Sequence, residues 1–365
     1  MEKVIYKLST KDEVIWNQKM KSIAIMFHKP QKVLSTSLLH GAFRKDLLGV
    51  FNHDCGDSTG DHCKLRANTY VEHLRVFAKD IGFSSDLVTG MGTAAQMENV
   101  AIVEKSYREL TVTAIVTGGI EGNGGRAGDP ADYYAPKEKL ANHKPGTINI
   151  ILVLDTDLSP GVMARALVTC TEAKTAALQE LMAGSLYSNG LATGSGTDQT
   201  IIIANSQSKL YFEGAGKHSK LGELIGLAVK EAVAKALKKQ TGLDSAMQHS
   251  VLRRWKRFGV TKEQLWKTYC QEEAGKSLLE NQFYERVDRV DKDSVLVTYS
   301  SLYIHLLDQY NWQLLSLEEV SETAKEILFV VAKKFDLHSP DLQLKDCNDL
   351  ILAWVHLLIN LLKNR

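Results

Sequence analysis

The stretch PGTINIILVLDTDLSPGVMARALVTCTEAKTAALQELM, Pro145–Met182, sets the fold class. Ile148–Leu154 is an unbroken apolar, β-branched run of strand length. Ser159 and Pro160 follow as helix N-cap and first helical residue, an order favoured because proline has no N–H to leave unpaired there. The helix then runs through ARALVTCTEAKTAALQELM and stops near Gly184. A buried strand feeding a long helix is the unit of a layered α/β body.

Working outward, Lys21–Phe27, Leu47–Asn52, Leu110–Val116 and Thr200–Ala204 have strand character. Thr69–Ile81 has helical spacing, with Val71, Leu74, Val76 and Phe77 in a stripe. A second long helix starts around His218–Ser219 and ends before Gly242, which suits a left-handed cap. Beyond Gly242 glycine becomes scarce and amphipathic helical patterns take over. Ser316–Glu319 is a capping box. The expected architecture is therefore α/β, an α+β layered body with glycine-rich loops over residues 1–241. An all-helical C-terminal domain over 242–365 completes it.

Lys plus Arg number 44 and Asp plus Glu 43 in 365 residues, a net charge of +1. No global field draws such a chain to nucleic acid or anionic lipid. The N-terminus lacks the apolar core of a signal peptide. The run Leu350–Leu362 is shorter than a membrane span and contains His356 and Asn360, so a buried or oligomerising helix is expected. The five cysteines are scattered, which with no export signal fits a reduced cytoplasm.

Three segments set glycine-rich polar loops beside apolar runs, Gly118–Pro130, Pro145–Asp155 and Ala192–Ala204, and a fourth at Glu213–Glu223 opens a helix. Such loops bring backbone N–H groups close to a ligand. GAGKHSK is no phosphate loop, because Tyr211 stands where a glycine is required and His218 follows Lys217. GNGGRAG meets Asp129-Pro130 where a dinucleotide fold needs a helix. FNHDCGDSTGDHC, Phe51–Cys63, holds metal-ligating residue types without a standard zinc spacing and is expected to be a polar surface loop. Glu172 and Lys174 stand among small apolar residues, equally suited to a structural pair or a site. Asp198 at a strand entrance can be an Asx turn or a base, and His218 a cap or a proton donor.

At these residues the chain resembles the adenosylcobinamide amidohydrolases of corrinoid salvage. TVTAIVTGGIEGNGGRAGDPA, GTINIILVLDTDLSPGVMARALVTCTEAKTAALQEL, ATGSGTDQTIIIA and GAGKHSKLGELIG carry the resemblance, with VLSTSLLHGA and GMGTAAQMENVAI upstream. It covers about Val33 to Leu237. The resemblance implies hydrolysis of the amide joining a corrin propionyl side chain to aminopropanol, with no cofactor required of the protein, since the cobalt belongs to the substrate. The partner is then a corrinoid small molecule, with the C-terminal helices available for homo-oligomerisation. A rival reading is a non-catalytic corrinoid-binding or sensing protein.

Amide hydrolysis needs an attacking oxygen, donors for the oxyanion and a proton for the amine. The expected route is attack by water activated by Asp198 or Glu172 as base, with His218 as acid and Asn123 as oxyanion donor; the alternative nucleophile is Thr147. The last faintly resembles the hydroxyl residue that self-cleavage exposes in β-aminopeptidases. Expected substrate-binding residues are Asn149, Gly124, Gly125, Asp129, Gly194, Ser195, Thr197 and Lys220, the last an alternative acid. Tyr133 and Tyr134 are candidate walls of the pocket.

Overall fold

A computed structural model of the chain describes residues 2–56, 65–131, 134, 146–272, 278–338 and 343–364. By contact the chain divides into Met1–Tyr187 with Leu191–Asp244, and Ser188–Gly190 with Ser245–Arg365.

The first unit opens with β1 (Glu2–Lys7), β2 (Glu13–Asn17), β3 (Ser22–Ser35) and β4 (Ala42–Asp54), all antiparallel neighbours. Then come α1 (Tyr70–Asp80), β5 (Val88–Thr93), β6 (Ala101–Tyr107), β7 (Leu110–Gly119) and the two-residue β8 (Gly124–Gly125). β9 (Thr147–Leu154), α2 (Pro160–Glu180), β10 (Gly194–Ser195), β11 (Gln199–Ala204) and α3 (Lys220–Thr241) finish it. The main sheet runs β1-β2-β3-β11-β9-β7-β6, and β4 bridges β3 to β5. The first half of β3 pairs with β2 and its second half with β11, so the sheet curls. β9 is an interior strand, parallel to β11 and antiparallel to β7.

All eight residues of β9 are buried because both faces are covered. Period-two alternation sends Ile151 and Val153 to the concave side, where Ile115, Ile201 and Ile203 pack. Ile148, Ile150 and Leu152 take the other side, where α2 lies against β11 and α3 against β7, the two strands that flank β9. Those helices approach closely through small buried residues, Ala166, Ala173 and Ala177 on α2 and Ala228, Ala232 and Ala236 on α3. Truncating a fully buried Ile151 to alanine would cost about 2–5 kcal/mol.

The helix boundaries follow local chemistry. Ser159 Oγ accepts from Val162 N at 3.3 Å and Ser219 Oγ from Gly222 N at 3.1 Å. Gly242 closes α3 at φ 76°. α2 stops at Glu180, before the expected Gly184, because Met182 enters the left-handed region at φ 50°. Several strands are longer or additional relative to the sequence reading. β1, β2 and β6 are charged and partly exposed, so their pairing partners define them rather than an apolar run. β5 (VTGMGT) is glycine-rich because Gly90 lies against the Phe51 ring, where no Cβ fits.

The second unit is helical: α4 (Ser245–Gln248), α5 (Val251–Trp255), α6 (Lys262–Glu272), α7 (Glu280–Asp291), α8 (Ser294–Asn311), α9 (Leu317–Lys334) and α10 (Cys347–Asn364). Trp255 stacks on Trp354 with ring centroids 5.4 Å apart and Tyr303 packs on both, while Phe283 packs with Trp266 and Tyr269. The Leu350–Leu362 run lies in α10 and contributes Leu350, Trp354, Leu358 and Leu361 to this core. The Ser316 box forms as expected, with Ser316 N donating to Glu319 Oε2 at 2.8 Å. Among the described residues no helix is long and apolar enough to cross a membrane.

Candidate active site

The two-stranded β8–β10 ribbon ties the Gly118–Pro130 loop to the Ala192–Asp198 loop, pairing Gly194 with Gly125 and Ser195 with Gly124. Gly124 is required there, since a Cβ would sit 2.9 Å from the Ile120 carbonyl. Together with Thr171, Lys174 and Thr175 of α2 and with Tyr187, these loops line a cleft of about 770 Å³. Asn123, Arg126, Lys174, Tyr187, Ser195 and Thr197 give it its polar lining.

Asp198 is the anchor. Its Oδ1 accepts from Ile148 N at 2.8 Å and from Ser195 Oγ at 2.6 Å. Its Oδ2 accepts from Ser195 N at 3.0 Å and from Lys174 Nζ. One carboxylate thus fastens β9, β10 and α2 together. The Lys174 and Asp198 side chains are only 11% and 12% exposed, so each ion needs the other. Gly194 must be glycine, because a Cβ would meet Asp198 Oδ2 and lie 2.7 Å from Lys174 Nζ.

A second chain of bonds starts at Tyr187, whose hydroxyl donates to Asn123 Oδ1 at 2.8 Å. Asn123 Nδ2 donates to the Gly146 carbonyl at 3.3 Å, and Thr197 Oγ1 donates to the same oxygen at 2.9 Å. With its hydrogen used there, Thr197 Oγ1 accepts from Thr147 Oγ1, 2.6 Å away. Thr147 is buried directly behind Thr197. Asp129 is held by the loops themselves, accepting from Arg126 N at 2.7 Å and Ser185 Oγ at 2.6 Å.

The residues singled out in the sequence therefore separate. Asn123, Gly125, Asp129, Gly194, Ser195 and Thr197 line the cleft, and Gly124, Thr147 and Asp198 stand directly behind that lining. Asn149 does not line it. It is buried on the concave side of the sheet, donating to Asn52 Oδ1 at 2.8 Å and Gly92 O at 3.2 Å, and its own Oδ1 has no partner among the described residues. Glu172 is outside the cleft lining and pairs at 2.7 Å with Lys217, which holds its carboxyl below the usual carboxylate range. His218 is exposed and Lys220 pairs with Glu223 at 2.6 Å; neither lines the cleft. Tyr133 lies outside the described residues, and Tyr134 is 97% exposed. Tyr187 and Arg126 line the cleft without having been singled out. Cys170, one turn from Lys174, is no thiolate nucleophile, since burial pushes its thiol up to about 12.

Of the Phe51–Cys63 segment, residues 57–63 lie outside the described part. His53, at the end of β4, is buried against His73 of α1. Arg66 N donates to His73 Nδ1 at 3.0 Å, so His73 Nε2 carries the hydrogen and donates to His53 Nε2, also at 3.0 Å. Burial, and then the neighbouring His73, pushes the His53 imidazole down to about 3. Among the described residues no group of three or more His, Cys, Asp or Glu is placed to hold a metal ion.

Comparison with known proteins gives three findings. The family model described as adenosylcobinamide amidohydrolase matches residues 5–245. An uncharacterized protein of Methanocaldococcus jannaschii is 34% identical over 239 residues, spanning 61% of this chain and 88% of that protein. Among solved structures, the PH0078 protein from Pyrococcus horikoshii OT3 aligns with 64% of this chain and 82% of its own, at 14% identity and a TM-score of 0.30.

Proposed function

The chain belongs to the adenosylcobinamide amidohydrolase family, and from that premise we propose that it hydrolyses the aminopropanol amide of adenosylcobinamide or a related cobamide. The products are adenosylcobyric acid and the amino alcohol. The observation that carries this reading is the convergence, inside the family-matched residues, of a desolvated Lys174–Asp198 pair and a hydroxyl chain on one cleft.

The parts suit amide cleavage. The attacking oxygen belongs at the Thr147–Thr197 hydroxyl pair. Asn123 Nδ2 is the side-chain donor to the developing oxyanion, an interaction worth about 3 kcal/mol in comparable sites. Lys174 is the only lysine in the lining among the described residues and supplies a proton to the departing amine. Asp198 already accepts from four donors, so its role is to position Lys174 and Ser195 rather than to draw a proton from water. Arg126 adds positive charge at the mouth, matched to a carboxylate product.

Incubation with adenosylcobinamide, followed by mass analysis of the corrinoid, tests this. Adenosylcobyric acid and free aminopropanol are expected. Tight corrinoid binding without release of aminopropanol would overturn the hydrolase reading in favour of a binding protein.

A further inference from the structure

We propose that the Gly146–Thr147 peptide bond is a self-cleavage site, and that cutting it turns Thr147 into an N-terminal nucleophile directly behind the cleft lining. This goes beyond the hydrolase reading, which stands equally well with an unbroken chain.

The argument starts at one carbonyl. The Gly146 oxygen accepts from two side chains on separate loops, Asn123 Nδ2 at 3.3 Å and Thr197 Oγ1 at 2.9 Å. Two convergent donors on a backbone carbonyl are the arrangement that stabilises an oxyanion when that carbon is attacked. The nearest nucleophile in sequence is the hydroxyl of the next residue, Thr147. Its hydrogen points to Thr197 Oγ1 at 2.6 Å, and Thr197 in turn donates to the Gly146 oxygen. The hydroxyl to be deprotonated and the oxygen that gains charge are thus joined through a single side chain. Position 146 is also built for access. A Cβ there would stand 2.7 Å from Asn123 Cβ and 3.2 Å from the Gly119 carbonyl, so only glycine lets the Asn123 amide come this close. Finally, Asp198 Oδ1 grips Ile148 N at 2.8 Å, which holds the start of β9 in place once the chain ahead of it is released.

The chemistry balances without a co-reactant other than water. Thr147 Oγ1 bonds to the Gly146 carbonyl carbon and the C–N bond breaks, with the hydroxyl proton ending on the Thr147 nitrogen. The resulting ester takes up one water, giving a Gly146 carboxylate, a free Thr147 amine and the restored hydroxyl. That amine is then the base adjacent to its own nucleophile.

The test is intact mass of the full chain, purified and held under native conditions. Two polypeptides are expected, ending at Gly146 and starting at Thr147, together heavier than the 40.5 kDa chain by one water. Thr147→Ser should still cut, Thr147→Ala should stay whole, and Asn123→Ala should slow cutting about 10²-fold. Circular dichroism of each variant confirms that it folds. A single 40.5 kDa species after prolonged incubation overturns the proposal, even if the preparation hydrolyses adenosylcobinamide. A cut at another bond, or one that persists in Thr147→Ala, marks an outside protease and also overturns it. Cutting without corrinoid hydrolysis sustains it while removing the hydrolase reading.

Discussion

The Tyr187 hydroxyl sits 2.8 Å from Asn123 Oδ1 and so fixes which end of the Asn123 amide faces the Gly146 carbonyl. Asn123 is 5% exposed, and its two ends differ in what they can do: one only accepts, the other only donates. Tyr187→Phe removes the lock. Turnover of adenosylcobinamide should fall about 10-fold with KM nearly unchanged, the effect of one lost neutral hydrogen bond. A change confined to KM would show that Tyr187 only holds substrate.

The Lys174–Asp198 pair should be worth more to the fold than a surface ion pair. Lys174→Met or Asp198→Asn each leaves a charge or several donors without a match in a site about one-tenth exposed. Each should lower unfolding free energy by about 3 kcal/mol, the low end for a broken buried pair. Turnover should be lost with either change. In urea denaturation the double variant should lose clearly less than the sum of the two. Strict additivity would mean that the two groups do not interact.

Gly194→Ala should reproduce the catalytic loss of Asp198→Asn without altering any charge. The added methyl meets Asp198 Oδ2 and comes within 2.7 Å of Lys174 Nζ, so the pair must separate. Gly226→Ala on α3 is the control, since nothing lies within 4 Å of its Cβ position. It should raise stability by about 0.5–1 kcal/mol, measured by the same denaturation. Unimpaired turnover in Gly194→Ala would remove the pair from the mechanism.

The histidine pair predicts a weakness toward acid. His53 is held neutral in the fold down to about 3, against an ordinary value of 6.5, and burial lowers His73 as well. Below pH 6.5 the unfolded chain takes up protons that the folded chain refuses. The stabilisation from His53 is therefore complete above 6.5 and fades as pH falls toward 3, by up to about 1.4 kcal/mol per pH unit, and His73 acts in the same direction. Denaturation midpoints at pH 5 and pH 7 should differ less in His53→Phe than in the native chain. Equal differences would place the acid sensitivity elsewhere.

What the sequence revealed followed how local each signal is. Ser159, Ser219 and Gly242 mark helix ends because a cap bonds to backbone only a few residues away. β9 and β11 were visible because both faces are buried, which leaves an apolar run. β1, β2 and β6 carry no such run. The cleft loops announced themselves through glycine, which close approaches such as Gly194 beside Asp198 require. The partner of Asp198 was harder to find. Glu172 and Lys174 are two positions apart on a helix, hence on nearly opposite faces, and small residues flank both. Only the closure of β10 on β8 shows that Lys174 is the one turned toward Asp198. His218 and Lys220 drew attention through a glycine loop that serves the start of α3, where Thr169 Oγ1 donates to Ala215 O at 2.7 Å.

Thr147 opens β9, the strand flanked on both sides and buried at every residue. Amide hydrogens from Ile148 to Leu154 should therefore be among the last in this unit to exchange with deuterated solvent. A hydroxyl mounted there has almost no freedom to adapt to what arrives above it. On the proposed function, discrimination between one ligand and another must then come from the loops at the rim, and swapping those loops is the way to redirect the protein without disturbing its floor.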